Sequence, residues 1–292
     1  MKRVRCHISS GSNTLPLGGQ APLRRSRSLA EHPPNVGEDF PHTPLVHCQH
    51  NLRNNALIIF DLDGTLVNAY PAVRSSINHT LKTMGYAPKS AAVIRRSVGW
   101  GDKHLLEDFL GKDKVVAALK IYRRHHAGAV KAANGVKFLP GAKTALTELK
   151  KDGYRLAIAS NRPTKSTLLI LKTLNARAYF DMVLCADKAK RPKPYPDMLV
   201  GILRALKIGK QDALYVGDMT IDVTTGRRAG IRTVAVATGS CTPAQLKRLK
   251  PWRMIDKMDR LKTVIRRPLV TLGINSPALR GHLGGSHEQE KA

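Results

Sequence analysis

Cysteine is scarce in this chain. The four residues Cys6, Cys48, Cys185 and Cys241 lie far apart and form no CxxC pair. That excludes a disulfide-stapled scaffold and suits a reducing compartment. Aromatic residues make up only 5% of the chain, so a core must rest on Leu, Ile, Val and Ala. No run approaches the roughly 18–20 apolar residues of a membrane span. The longest apolar runs, such as Ala56-Leu57-Ile58-Ile59-Phe60, are short enough to be buried strands. Acids are also few, 21 Asp and Glu against 49 Lys and Arg, for a formal charge of +28. Residues 1–55 carry only +4 of it, so the rest of the chain is itself strongly basic. Such a body favours anionic partners: phosphorylated metabolites, nucleic acid or an anionic membrane surface. The sequence carries no RNA-recognition or helix-turn-helix signature. The run His47-Cys48-Gln49-His50 fits no structural zinc spacing.

What is present is a chain of 292 residues, enough for one α/β domain with an inserted subdomain and tails. Residues 1–54 lack any sustained period and are rich in Pro, Gly, Ser, Asn and His, so a basic, disordered N-terminal extension is expected there. Its first thirty residues hold Arg and Ser and no acid before Glu31, a composition also found in organelle transit peptides. Without that reading the expected location is cytoplasmic. Residues 71–134 read as helices, with Val73, Ile77 and Leu81 at spacing four and a second stripe at Leu105, Leu106, Phe109 and Leu110. From Phe138 onward short apolar strands alternate with amphipathic helices. Strands are expected at 155–159, 182–185, 213–216 and, last, 233–237. Helices are expected at 142–151, 164–174, 196–206 and 221–229. The fold class this implies is α/β, a Rossmann-like three-layer parallel sheet with an inserted helical cap. The expected parts are a core at 55–69 and 137–266, a cap at 70–136 and a disordered tail at 267–292.

Ligand sites in such sheets lie at the carboxyl ends of the strands. That rule selects Asp61, Asp63, Ser160, Asn161 and Asp218, each directly after an expected strand. Asp61 and Asp63 can face one pocket only if the chain turns, and Gly64 permits the turn. Two buried acids are costly unless a cation or other partner satisfies them. Asp218 could add an oxygen to a hard cation such as Mg²⁺. Asp222 lies one helical turn further on and can point back to the same place.

Four segments occur in order: Asp61-Leu62-Asp63-Gly64-Thr65, Ser160-Asn161, Lys193 within Arg191-Pro192-Lys193-Pro194-Tyr195-Pro196-Asp197, and Gly217-Asp218-Met219-Thr220-Ile221-Asp222. Together they resemble the haloacid dehalogenase superfamily, phosphatase branch, over about residues 56–266. The resemblance implies that Asp61 attacks phosphorus and that Asp63 serves as general acid and base. It implies that Ser160 and the backbone N–H of Asn161 bind phosphoryl oxygens, and that Lys193 neutralises phosphate and Asp61. It also implies that Asp61, the backbone carbonyl of Asp63 and Asp218 hold Mg²⁺, with Asp222 in support. An acid at position 63 argues for phosphoryl chemistry, because dehalogenating members of the family lack it.

The helical segment falls between the first and second motifs, as in phosphoglycolate phosphatases and related small-metabolite phosphatases. Ser97-Val98-Gly99-Trp100-Gly101 could be a specificity loop or a plain helix–helix turn. Asn68-Ala69 stands where many relatives carry Asp-Ser, which bears on substrate and hinge. The cap cations Arg74, Arg95, Arg96 and Lys103 could bind a substrate carboxylate or second phosphate, although most charges on such helices are simply solvated. The expected activity is hydrolysis of a small phosphorylated metabolite, with 2-phosphoglycolate the leading substrate. The alternatives are an inorganic pyrophosphatase or a broad sugar or nucleotide phosphatase. From another class, a basic RNA-binding protein on the same fold is the alternative, but it has no need of Asp61, Asp63, Lys193 and Asp218 together.

Overall fold

A computed structural model describes residues 56–266. The expectations for residues 1–54, for the His47–His50 run and for the tail from 267 lie outside the described residues.

Strand β1 (Leu57–Phe60) is wholly buried and pairs in parallel with β4 (Arg155–Ser160) and β6 (Ala213–Gly217). Strand β5 (Met182–Cys185) flanks β4, and β7 (Arg232–Val236) flanks β6. Beyond β7 lies β8 (Arg253–Ile255), which completes a six-stranded parallel sheet in the order β5-β4-β1-β6-β7-β8. The sequence pattern ends the sheet at 233–237. The structure corrects this, because a three-residue strand is too short to carry a period.

Alternate residues of each strand feed the two faces of the sheet. On one face Ile58, Phe60, Leu156, Ile158, Leu214 and Val216 meet helices α5 (Ala142–Lys151), α6 (Thr164–Thr173) and α10 (Leu261–Arg266). On the other, Leu57, Ile59, Ala157, Ala159 and Tyr215 pack on Met198, Leu199 and Ile202 of α7 (Asp197–Leu206). Helices α8 (Thr220–Ala229) and α9 (Pro243–Arg248) cover Ala235 through Val223 and Leu246. This is the three-layer Rossmann-like α/β architecture. Helix α7 starts at Asp197, one residue later than its sequence suggests, with Pro196 in the capping position.

Between β1 and β4 the chain leaves the sheet through β2 (Val67–Asn68) and returns through β3 (Lys137–Phe138). These two-residue strands pair antiparallel with each other. Between them lie four helices, α1 (Tyr70–Thr83), α2 (Ala91–Ser97), α3 (Asp102–Leu110) and α4 (Val115–Lys131). Their apolar stripes bury Val73, Ile77, Leu81, Leu106, Ala118 and Tyr122 in a core separate from those on the sheet. No helix among the described residues is long and apolar enough to cross a membrane.

Candidate active site

The three central strands end side by side, and each delivers an acid or its neighbour to one point. Asp61 follows β1, Ser160 closes β4, and Gly217-Asp218 closes β6. The backbone N–H of Asp61 still donates to Val216 at 2.9 Å, so the nucleophile candidate is anchored to the sheet's last rung. Asp222 sits in the first turn of α8 and accepts from the backbone N–H of Met219 at 3.0 Å.

Lys193 ties this cluster together from the loop before α7. The residue is 3% exposed, and its ammonium donates to Asp61 Oδ1 at 2.6 Å, Asp222 Oδ1 at 2.8 Å and the Tyr215 hydroxyl at 3.2 Å. The Tyr215 hydroxyl in turn donates to Asp222 Oδ1 at 2.7 Å. Burial alone would lower the Lys193 ammonium, but Asp222 and Asp61 outweigh it and hold it well above the usual lysine range. Burial pushes the Asp61 carboxyl up to about 7, against the opposing pull of Lys193.

Asp218 is held differently. Its Oδ1 accepts from the Thr65 hydroxyl at 2.8 Å, while the buried Oδ2 has no hydrogen-bond partner. Burial first, then Asp61 and Asp222, raise this carboxyl well above its ordinary range. Two glycines make room for it. A Cβ on Gly64, whose φ is +82°, would lie 2.5 Å from Oδ2, and one on Gly239 would lie 1.5 Å from it.

One oxygen each of Asp61, Asp218 and Asp222 lies within 4.8 Å of the others. Were all three carboxylates ionised beside one ammonium, two negative charges would lack a counter-charge. Buried charge of that size requires compensation. A divalent hard cation supplies it, and the unpartnered Asp218 Oδ2 marks where an oxygen ligand is free. Both oxygens of Asp222 are already engaged, so its place is beside the ion and Lys193. The residues present therefore fit a divalent metal ion.

Asp63 is the one acid whose carboxylate stands apart. Arg162 grips it at both oxygens, Nε to Oδ2 and Nη2 to Oδ1, each at 2.8 Å. The same guanidinium reaches His126 Nε2 at 2.8 Å and donates to Ser166 at 3.0 Å. His126 belongs to α4, so this contact joins the helical insert to the sheet's edge. Ser160 and Asn161 are buried beside it. Ser160 Oγ accepts from the backbone N–H of Arg162 at 3.2 Å. The Asn161 side chain accepts from the Lys193 backbone N–H at 2.9 Å and donates to the Gly99 carbonyl at 3.2 Å. The Ser97–Gly101 loop is thus bound to the site through Asn161.

Of the seven sequence-selected residues, Asp61, Lys193, Asp218 and Asp222 form one cluster, and Asp63, Ser160 and Asn161 share a cavity lining with Asp61 and Lys193. Arg162, His126, Tyr215, Thr65 and Gly239 were not selected. Of these, Arg162 carried a signal, a cation two residues after Ser160. A cavity of about 750 Å³ opens between the insert and the sheet ends, with Asp61, Asp63, Ser160 and Lys193 in its lining. Arg74, Arg95, Arg96 and Lys103 do not line it. Arg95 instead donates to the carbonyls of Thr238 and Gly239, and Lys103 lies 3.7 Å from Glu107.

Residues 58–236 match the family described as haloacid dehalogenase-like hydrolase. A protein of Rhodobacter capsulatus named phosphoglycolate phosphatase is 33% identical over 186 residues, which cover 62% of this chain and 84% of that one. Pyrophosphatase PpaX of Bacillus cereus (strain Q1) is 30% identical over 212 residues, covering 71% and 95%. A crystal structure described as a predicted phosphoglycolate phosphatase from Haemophilus somnus 129PT superposes with a TM-score of 0.68 at 25% identity. It covers 73% of this chain and 99% of its own.

Proposed function

The chain belongs to the haloacid dehalogenase-like hydrolases, and on that premise we propose that it is a magnesium-dependent phosphatase of a small phosphomonoester. Asp61 is the covalent nucleophile, and 2-phosphoglycolate is the leading substrate. The observation that carries the reading is the Asp61 carboxylate, held by Lys193 beside a buried Asp218 oxygen that lacks a partner.

An oxygen of Asp61 attacks phosphorus as the bond to the ester oxygen breaks, and the proton from Asp63 goes to that leaving oxygen. Asp63 then takes a proton from water, which attacks the aspartyl-phosphate and frees Asp61. Lys193 offsets charge on Asp61 and on the phosphoryl oxygens, and Ser160 with the backbone N–H of Asn161 orients those oxygens. Asp61, the backbone carbonyl of Asp63 and Asp218 would hold Mg²⁺, which when bound supplies charge neutralisation for the phosphoryl group, with Asp222 in support. The two-point grip of Arg162 fixes the orientation of the Asp63 carboxylate, and a second lone pair on each oxygen remains for the leaving group. Residues 70–136 act as a cap that opens and closes on the core, with the paired β2 and β3 as hinge.

Inorganic pyrophosphate is the second candidate, favoured by the likeness to the Bacillus cereus pyrophosphatase. A reducing cytoplasm suits the free thiols Cys185 and Cys241. The test is phosphate release from 2-phosphoglycolate, pyrophosphate, sugar phosphates and nucleotides, with Mg²⁺ or EDTA, beside Asp61→Asn. Magnesium-dependent release that vanishes in the variant is the expected result. No release from any compound by folded protein would overturn it.

A further inference from the structure

The cavity extends well past the acids. Its far wall carries five cations, Arg123, Arg124 and Lys131 on α4 and Lys165 and Lys172 on α6. Arg123 is taken by Asp102 at 2.8 Å. The other four pair with no carboxylate among the described residues, although a basic protein holds its few acids close to cations elsewhere. Arg124 and Lys131 are seven residues apart, and so are Lys165 and Lys172. Seven residues are almost two turns, so each pair shares one helix face with about 10 Å between its members. Helices α4 and α6 pack on each other, so the two pairs lie on neighbouring helices that line the same cavity.

The surface between the cations is apolar. Ala127 lies between Arg124 and Lys131, and Leu168 and Leu169 lie between Lys165 and Lys172, all in the cavity lining. Leu168 is 40% exposed, one of few large apolar side chains left open among the described residues. Lys165 stands in the first turn of α6 and shares the cavity lining with Ser160 and Asn161. Lys172 is two turns further out. A cavity of about 750 Å³ has room for ligands larger than a two-carbon phosphate ester as well.

We propose that this groove is a second anion subsite, which takes the distal phosphate of a nucleoside bisphosphate whose other phosphate is at Asp61. The nucleoside lies on Leu168 and Leu169, and the distal phosphate is held by Lys131 and Lys172. This rests on the phosphatase reading for turnover but not for binding. It makes bisphosphates better substrates than the matching monophosphates, through KM more than kcat.

The test compares a nucleoside 3′,5′-bisphosphate, the matching monophosphate and p-nitrophenyl phosphate, in wild type and in Lys131→Glu/Lys172→Glu. Both lysines are exposed and outside the catalytic set. The expected result is a loss of at least about tenfold in kcat/KM for the bisphosphate, with the other two within about twofold. A bisphosphate no better than the monophosphate, or equal losses on all three, overturns the proposal. If p-nitrophenyl phosphate is not hydrolysed either, the catalytic reading fails alone, and calorimetric titration of the bisphosphate decides the groove. Weaker binding to the double variant supports the subsite there, and unchanged or undetectable binding to both proteins overturns it.

Discussion

Replacing His126 by glutamine should flatten the acid side of the stability curve. His126 is 3% exposed, and its ring stacks on Tyr122 with centroids 5.0 Å apart. Nδ1 is 3.0 Å from Ser76 Oγ, whose own hydrogen goes to the Ala72 carbonyl at 2.7 Å. His126 must therefore donate from Nδ1 and accept from Arg162 at Nε2, which is the neutral ring. A second ring proton would point at a guanidinium. Burial first, then Arg162 outweighing the opposing Asp63, lower this histidine to about 3 from its ordinary 6.5; His125 nearby adds to the same direction. A native value below the unfolded one means that stability is fully present above pH 6.5 and is lost as pH falls toward 3. At pH 5 the unfolded chain binds this proton and the folded one does not, which costs about 2 kcal/mol. Because pH 5 lies well above the native value, that cost is set almost wholly by the ordinary histidine value. Glutamine keeps an acceptor near the Nε2 position and cannot titrate. Urea unfolding at pH 7.5 and pH 5 should show wild type losing about 2 kcal/mol more than His126→Gln, or about 4–8 °C in Tm. Identical pH dependence in the two proteins would refute the neutral, buried assignment of the ring.

Three further outcomes follow from the acid cluster. Mg²⁺ at about 100 times its Kd should stabilise the protein by about 2.7 kcal/mol, seen as a Tm rise that EDTA reverses and Asp218→Asn abolishes. Gly239→Ala should leave the circular dichroism spectrum intact yet remove that Mg²⁺-dependent rise, because the new Cβ would fall 1.5 Å from Asp218 Oδ2. Lys193→Met should cost about 3–5 kcal/mol in metal-free denaturant unfolding, since it strands Asp61 and Asp222 without their shared ammonium.

The acids were legible because each follows a short apolar strand, and the strand ends of a parallel sheet converge whatever the intervening chain does. Asp61 and Lys193 are 132 residues apart, yet both could be named. The partners of Asp63 could not. Arg162 meets Asp63 across 99 residues, and Arg162 in turn meets His126 across 36, and no local period records such meetings. Tyr215 reads as an ordinary core residue, and only the register of β6 beside β1 turns its hydroxyl toward Lys193. The cations followed the same logic. Helical spacing shows that Arg124 and Lys131 share a face, but it does not say which face meets the cavity. Arg95, readable from sequence either as a substrate ligand or as a solvated helix charge, instead braces the Thr238-Gly239 loop that leaves Asp218 its room.

The position of β1 also has a consequence for a chain still being made. Its neighbours in the finished sheet are β4, which begins at Arg155, and β6, which ends at Gly217. At ordinary rates of synthesis the ribosome needs roughly 5–20 s to pass from Phe60 to Ser160, where the first of these partners is complete. Throughout that interval Leu57-Ile58-Ile59-Phe60 has two unpaired edges and nothing to bury against, the condition in which strands join the wrong chain. The helices from Tyr70 to Lys131 can close their own core meanwhile, since all its members lie between Val73 and Tyr122. Among the described residues the insert is thus the first part able to fold, and the strand that leads into Asp61 waits for partners made long after it.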